Sequence, residues 1–263
     1  MITSQVERIS PGTAEKYLAL NLDKNRPIRP STIRDYSNKM LAGEWVPTHQ
    51  GIAFDQDGHL IDGQHRLRAI VDSGVTVQLM VTRGLRPDSF KALDLGARRK
   101  MSDILRIPKT HSEVALFIAK MVVGHNPTTG QVERVYNSIS PSLISLLDGC
   151  GTNRKTYSSA TVKAAAVFSM MLRQDSAFYV KRVYHSLVSF DLCDPNLPMV
   201  AKAFIRQCET NRVGSQNQRD LFARSVALFD PSKEHNKKIQ INTESMDAAV
   251  AHLRAFFSSI CAA

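Results

Sequence analysis

Five consecutive residues, Asp62-Gly63-Gln64-His65-Arg66, bring together chemical groups that bind and activate phosphate. Gly63 allows the backbone to turn tightly into a helix, whose first N–H groups and dipole attract anions. His65 and Arg66 add two side-chain donors in the same turn. Asp62 ends the preceding strand, where its carboxylate can bind Mg²⁺, accept a proton or cap the helix. The segment therefore outlines a phosphate-binding site.

In a catalytic interpretation, the same residues divide the work of phosphoryl transfer. Gly63, Gln64, His65 and Arg66 bind phosphate, and Arg66 also neutralises the charge of the transition state. Asp62 accepts the proton of the attacking hydroxyl or holds Mg²⁺. His65 is a candidate general base, with phosphate donation and simple packing as the alternatives. The candidate catalytic residues are Asp62, His65 and Arg66.

Short apolar runs on both sides predict the elements that position this segment. Residues 51–55 have the character of a strand, the turn Asp55-Gln56-Asp57-Gly58 follows, and residues 59–61 complete a hairpin. After the motif, apolar residues recur at the helical spacing, at Leu67, Ile70 and Val71. Residues 75–81 are β-branched or apolar and predict a buried strand. The pattern indicates a strand-helix-strand unit around the motif.

Two helices are predicted before the hairpin. Residues 6–9 suggest a short strand, and Ser10 followed by Pro11 is typical of a helix start. Pro30 or Ser31 opens a second helix, which ends at Gly43.

The motif matches the DGQHR signature letter for letter. With Leu67-x-Ala69-Ile70 it resembles the nucleotide-binding motif of the ParB/sulfiredoxin-like superfamily. The resemblance spans roughly residues 5–105 and extends to residues 25–28 and 40–45, which are similar to the lead-in of phage and actinobacterial ParB-like proteins. It implies a mixed-sheet domain that binds ATP, ADP or CTP phosphates at the strand-to-helix turn. Known activities of the superfamily include a CTP-driven DNA clamp, a sulfinic-acid reductase and a free-serine kinase.

Departures from the family patterns narrow the activities. Sulfiredoxin-like enzymes carry their reactive cysteine where Gln64 stands, and the first cysteine of this chain is Cys150, which argues against sulfinic-acid reduction. The Glu-Arg-Arg motif and the helix-turn-helix of chromosome-partition ParB proteins are not evident, which argues against a centromere-reading clamp. The free-serine kinases are more similar at the motif, where aspartate, glycine and His-Arg are retained.

Basic and polar residues outside the motif are candidate substrate or nucleic-acid contacts. Pro27 forces the residue before it into an extended conformation, from which its side chain projects, and a surface turn is the alternative. The run of three cations from residue 98 follows a glycine turn; the resemblance implies that it closes over the nucleotide or faces a polyanion, and a solvated loop is the alternative. The candidate contacts are Arg26, His49, Arg68, Arg98, Arg99 and Lys100.

Composition limits the class of protein. The 263 residues are 43% apolar and 22% charged, which suits a folded globular chain. The formal charge of +10, from 34 Lys and Arg against 24 Asp and Glu, favours a polyanionic partner such as DNA. The four cysteines show no zinc-site spacing. Neither a signal peptide nor a long apolar run is present, so we expect a cytoplasmic protein without a membrane span.

The fold class predicted is α+β, with two domains. Residues 1–108 form the ParB/sulfiredoxin-like nucleotide-binding domain, and residues 109–263 form a basic, all-helical domain, because helical periodicity replaces strand-like runs from about His111. In the second domain, residues 131–138 and 141–147 are predicted as separate helices on either side of Pro141.

Three functions follow from these observations. The first is a nucleotide-dependent phosphotransferase or nucleotide hydrolase that uses ATP or CTP with Mg²⁺ and acts on or with DNA, in DNA modification or in a phage–host function. The second is a non-enzymatic, nucleotide-gated DNA-binding protein of ParB type. The third is a viral protein-interaction factor that keeps the fold as a scaffold. A homodimer is possible in each case. All three functions rest partly on analogy.

Overall fold

The computed structural model describes residues 1–22, 25, 27–92, 99–124, 126–150, 157–189, 197–210 and 218–262. The fold is α+β, as predicted, and the chain divides into two compact units, Met1–Arg98 and Arg99–Ala263. In the described residues, the first unit holds a small sheet with three α-helices, and the second unit is helical. Within the described ranges, no helix combines the length and apolar character needed to cross a membrane.

The first unit is built on a four-stranded mixed sheet. Its strands are β1 (Thr3–Ile9), β2 (Ile52–Asp55), β3 (Leu60–Asp62) and β4 (Val77–Leu85), in the order β1-β4-β2-β3. β4 runs antiparallel to β1 and parallel to β2, while β2 and β3 form the antiparallel hairpin. The predicted strands are confirmed, and β1 and β4 are longer than predicted.

The described residues of the first unit also form three α-helices, α1 (Pro11–Leu18), α2 (Pro30–Leu41) and α3 (Gln64–Ser73), and a short 3-10 helix, Pro87–Ala92. The predicted starts of α1 and α2 are confirmed. The hydroxyl of Ser10 accepts a hydrogen bond from the backbone N–H of Thr13 at 3.2 Å, which caps α1. Both α1 and α2 pack against α3. The core beneath them includes Ile9, Ile33, Ile52, Leu60, Leu67, Ile70 and Val81.

The described part of the second unit contains eight α-helices and two short 3-10 helices. The helical character predicted for this part of the chain is confirmed. The α-helices are α4 (Met101–Leu105), α5 (Lys109–Val123), α6 (Thr129–Leu147), α7 (Ala160–Leu172), α8 (Ala177–Ser189), α9 (Met199–Thr210), α10 (Gln218–Leu228) and α11 (Thr243–Ala262).

The prediction of two helices around Pro141 is wrong, because α6 continues through it. Proline lacks the N–H that would bond to the carbonyl four residues earlier, at Asn137. The hydroxyl of Ser140 donates to that carbonyl instead, at 3.3 Å. The carbonyl therefore keeps a partner, which offsets part of the cost of proline inside the helix.

The second unit is organised around α7, whose residues Thr161–Met170 are all buried. Helices α5, α6, α8 and α10 pack against it. Three consecutive alanines, residues 164–166, are completely buried, and such small side chains permit close approach of neighbouring helices. Phe168 adds ring contacts with Phe222, Phe256 and Phe257. A helix enclosed in this way belongs to the core and offers no face for a DNA groove.

Candidate functional site

The turn into α3 depends on glycine at position 63. Gly63 has φ +100° and ψ 6°, a left-handed conformation that side chains with a Cβ rarely adopt. A Cβ here would lie 2.4 Å from Cγ2 of Ile52, far inside van der Waals contact. The missing side chain therefore brings the start of α3 directly against β2.

Arg66 lies in the first turn of α3, and its side chain bonds to groups of the hairpin that precedes the helix. Its Nη1 donates to the carbonyl of Gly51 at 2.8 Å and lies 3.5 Å from Oδ2 of Asp62. The two side chains are only 13% and 23% exposed, respectively. The guanidinium thus holds β2, β3 and α3 together at the motif.

Asp62 does not cap α3, so that alternative prediction is wrong. Gly63 occupies the N-cap position, and no side chain caps the helix start. The carboxylate of Asp62 pairs with Arg66 instead. The carboxylate of Asp62 therefore does not bond to the N–H groups at the start of α3.

His65 points inward and is 4% exposed. Its Nε2 accepts a hydrogen bond from the backbone N–H of Arg29 at 3.0 Å. Arg29 is the residue before α2, so the imidazole links the starts of α2 and α3. A ring nitrogen accepts only when it carries no proton, and in this arrangement Nε2 is therefore engaged as an acceptor rather than available as a general base.

Gln64 is also buried, and two asparagines connect it to the outer edge of β3. The amide of Asn21 donates to Oε1 of Gln64 at 3.4 Å. Asn25 donates to Oδ1 of Asn21 at 2.9 Å and to the carbonyl of Leu60 at 3.2 Å. Sequence reasoning missed these asparagines, Gly51 and the backbone of Arg29, because nothing in their local pattern distinguishes them from turn residues.

The other predicted contacts are distributed over both units. His49 and Arg68 are exposed on the first unit. Arg99 and Lys100 are exposed and belong to the second unit. Arg26 and Arg98 lie outside the described residues. The structure thus brings together Asp62, Gly63, Gln64, His65 and Arg66, the five residues of the motif.

Asp55, Asp57 and His59, at the hairpin turn, form the cluster in the described residues that could hold a metal ion, with ligand atoms within 4.8 Å of one another. Asp62 is not part of it. Oδ1 of Asp55 already accepts the backbone N–H groups of Asp57 and His59, at 3.0 and 2.8 Å. Burial raises the pKa of Asp55, but hydrogen bonds from His59 and Asp57 outweigh it and leave this pKa below its usual value. The carboxylate shapes the turn.

A second charged group lies on the sheet, where Glu7 of β1 faces Arg83 of β4. The guanidinium donates to both carboxylate oxygens, at 2.5 and 3.2 Å, and the hydroxyl of Tyr17 donates at 2.9 Å. The hydrogen bond from Arg83 lowers the pKa of Glu7 from 4.5 to about 2. Arg83 also lies over the ring of Phe54, 5.4 Å from its centroid. This cluster ties α1 to the sheet.

The second unit contains a polar cavity of about 550 Å³ lined by residues that include Gln207, Arg224, Asn242 and Ser245. The charged group among them, Arg224, already bonds to Asp220 at 2.6 Å and to Oε1 of Gln207 at 3.1 Å. Its cation is therefore committed to groups of the protein itself.

Comparison with known proteins yields no relative. No protein-family model, curated protein or solved structure matches the chain. The site is therefore interpreted from its own geometry and from the motif.

Proposed function

We propose that the first unit is a ParB/sulfiredoxin-like domain that binds the phosphate groups of a nucleotide, ATP or CTP, beside the Gly63 turn, and that the protein acts with DNA. The observation that carries the proposal is the left-handed Gly63, packed against Ile52 directly before a ten-residue helix with Arg66 in its first turn. A helix start and a guanidinium attract the same anion.

Arg66 is the group that would respond to phosphate. Its 3.5 Å contact with Asp62 is longer than a charge-assisted hydrogen bond, whereas its 2.8 Å bond to Gly51 is well formed. A phosphate group carries more negative charge than a carboxylate and would compete for the guanidinium. Asp62 would then be released, and its oxygen is the hard ligand that Mg²⁺ prefers when it enters with a nucleotide.

Between binding and catalysis, the geometry favours nucleotide-gated binding. The two candidate proton acceptors are engaged, Asp62 with Arg66 and His65 with the N–H of Arg29. A phosphotransferase or hydrolase is the second candidate, and it requires that nucleotide binding release Asp62 as the base. A protein-interaction scaffold would need none of these groups.

DNA is the proposed partner because of charge. The chain carries a net +10, and the exposed cations of its described residues occur in both units. Cations that neutralise backbone phosphates release counterions, so binding weakens steeply with salt. Exposed examples are Arg29, Arg68, Arg99, Lys100, Arg106 and Lys109.

The test is calorimetric titration of the full chain with ATP and CTP, with and without Mg²⁺. Arg66→Gln should weaken binding at least tenfold. Arg34→Gln removes the same charge from an exposed site on α2 and should bind like the wild type. Absence of binding to either nucleotide, or equal affinity in both variants, would contradict the proposal.

Two further measurements separate the candidates. The first measures release of ADP, CDP or a phosphorylated product. If the wild type releases such a product and Asp62→Asn binds nucleotide without releasing it, the protein is a catalyst rather than a nucleotide-gated binding protein. DNA affinity that falls with salt and changes on addition of nucleotide supports gating. DNA affinity that is independent of salt would remove DNA from the proposal.

A further inference from the structure

The two edge strands of the sheet, β3 and β1, differ in whether another segment bonds to their outer side. At the β3 edge, the segment that follows α1 covers the strand: the N–H of Leu60 donates to the carbonyl of Leu20 at 2.8 Å, and the N–H of Leu22 donates to the carbonyl of Leu60 at 3.5 Å. At the other edge, β1 pairs with β4 on one side. No strand of the described residues pairs with its far side. One edge is closed and the other is open.

The open edge lacks several of the usual devices that prevent strand pairing. β1 keeps an unbroken register with β4 over seven residues, from Thr3 opposite Arg83 to Ile9 opposite Val77. It contains no proline, lysine or bulge, whereas natural edges use these to block addition of another strand. Val6, at its centre, is an exposed apolar residue, 53% accessible. The strand is a regular and available template.

The charges of β1 do not prevent pairing either. Glu7 is a charged side chain within the strand, but Arg83 and Tyr17 already hold its carboxylate. Arg8 is exposed and has the same parity as Ser4 and Val6, so these three side chains share a face. An incoming strand therefore meets one positive charge on that face and a neutralised carboxylate on the other.

We infer that β1 of a second copy of this chain is the occupant, paired antiparallel about a two-fold axis at Val6. In a symmetric antiparallel pair, opposite residues lie on the same face, so the axis must pass through a residue pair. An axis at Val6 places Val6 opposite its symmetry mate, Gln5 opposite Glu7 and Ser4 opposite Arg8. The result is an apolar pair at the axis, with no like charges opposite each other.

Neighbouring registers fit less well. An axis at Glu7 places Val6 opposite Arg8, so its apolar side chain faces a charged one. An axis at Gln5 places Val6 opposite Ser4 and leaves its apolar surface without an apolar partner. In the favoured register, two four-stranded sheets join into one. A single strand pair buries a small interface, so the dimer should be weak and concentration-dependent.

The first experiment is sedimentation velocity of the full chain over a wide range of concentration. We expect a reversible dimer. Val6→Lys, which sets two ammonium groups against each other at the axis, should raise its dissociation constant at least tenfold. Val46→Lys makes the same change at another exposed valine of the first unit and should leave the dimer unchanged. A monomer at all concentrations, or a dimer insensitive to Val6→Lys, would overturn the inference.

The second experiment tests the register by oxidation. Directly opposite residues of an antiparallel pair have Cα atoms about 4.5–5.5 Å apart, which suits a disulfide. Val6→Cys should therefore form a disulfide across the axis, identified in the linked peptide by mass spectrometry because the chain has four other cysteines. Ser4→Cys places the two thiols four residues out of register, about 13 Å apart, and should not link. Equal linking in both variants would overturn the register.

Discussion

The backbone N–H of Arg29 donates a hydrogen bond to Nε2 of His65 at 3.0 Å and joins two residues that are 36 positions apart. One residue precedes α2, and the other lies in the first turn of α3. The imidazole thus serves the architecture of the motif, and Arg66 is left as the motif side chain that would exchange a protein partner for phosphate.

Replacing His65 should destabilise the first unit. His65→Phe removes the acceptor and leaves the N–H of Arg29 without it, which costs about 1–3 kcal/mol when the donor is shielded from water. Urea unfolding followed by the fluorescence of Trp45, the single tryptophan, reports on this unit. His49→Phe, at an exposed histidine of the same unit, should stay within about 0.5 kcal/mol of the wild type. Equal effects of the two substitutions would show that the bond contributes nothing.

Gly63→Ala should be more damaging than a glycine substitution elsewhere. The new methyl would clash with Ile52, and the left-handed backbone adds strain of about 1–3 kcal/mol. Gly12→Ala is the control, because Gly12 lies in α1 with nothing near its missing Cβ. Alanine there should stabilise the unit by about 0.5–1 kcal/mol. The two substitutions should therefore change the free energy of unfolding in opposite directions in the same assay. A Gly63→Ala variant as stable as the wild type would refute the role of this turn.

The Glu7–Arg83 pair should make the first unit sensitive to acid. The pKa of Glu7 is lowered from 4.5 to about 2, so its stabilising effect is complete above pH 4.5 and is lost as the pH falls toward 2. Glu7→Gln removes this contribution and should flatten the dependence of unfolding free energy on pH in that window. The measurement is urea unfolding from pH 2 to 7, followed by the fluorescence of Trp45. If the unfolding free energies of the wild type and Glu7→Gln change with pH in parallel, Glu7 is not the source of the acid sensitivity.

Pro141 should cost the second unit stability. Pro141→Ala restores a backbone donor to the carbonyl of Asn137 and should stabilise α6 by up to about 3 kcal/mol. Ser140→Ala alone should destabilise by about 0.5–1.5 kcal/mol, because its hydroxyl is the substitute donor. In the double variant the serine effect should vanish, a coupling that thermal unfolding followed by circular dichroism measures. If the effects of the two substitutions are additive, the Ser140 hydroxyl does not replace the backbone donor that Pro141 lacks.

Much of the fold could be predicted from the sequence because local patterns determine it. Apolar and β-branched runs identified the strands, and Ser10-Pro11 and Pro30 marked helix starts that the structure confirms. α6 was predicted as two helices because proline normally ends a helix, and the compensating bond from Ser140 depends on a side-chain rotamer. The α+β class followed from the change of periodicity.

The site was less predictable than the fold. The composition of the motif indicated which chemical groups are present, but not which protein groups they contact. The direction of His65 depends on Arg29, and that of Arg66 depends on Gly51, both distant in sequence. Such contacts arise only after α2, α3 and the hairpin have packed together. Local pattern alone therefore could not distinguish an anion-binding side chain from one that holds the fold.

The most direct test of phosphate binding follows the signals of Gly63 and Arg66 in ¹H–¹⁵N spectra during titration with ATP and CTP. The account predicts saturable shifts of the Gly63 amide and the Arg66 side chain, with the amide of Gly12 unaffected. Absence of any shift at Gly63 and Arg66 up to millimolar nucleotide, or saturable shifts confined to the second unit, would contradict it.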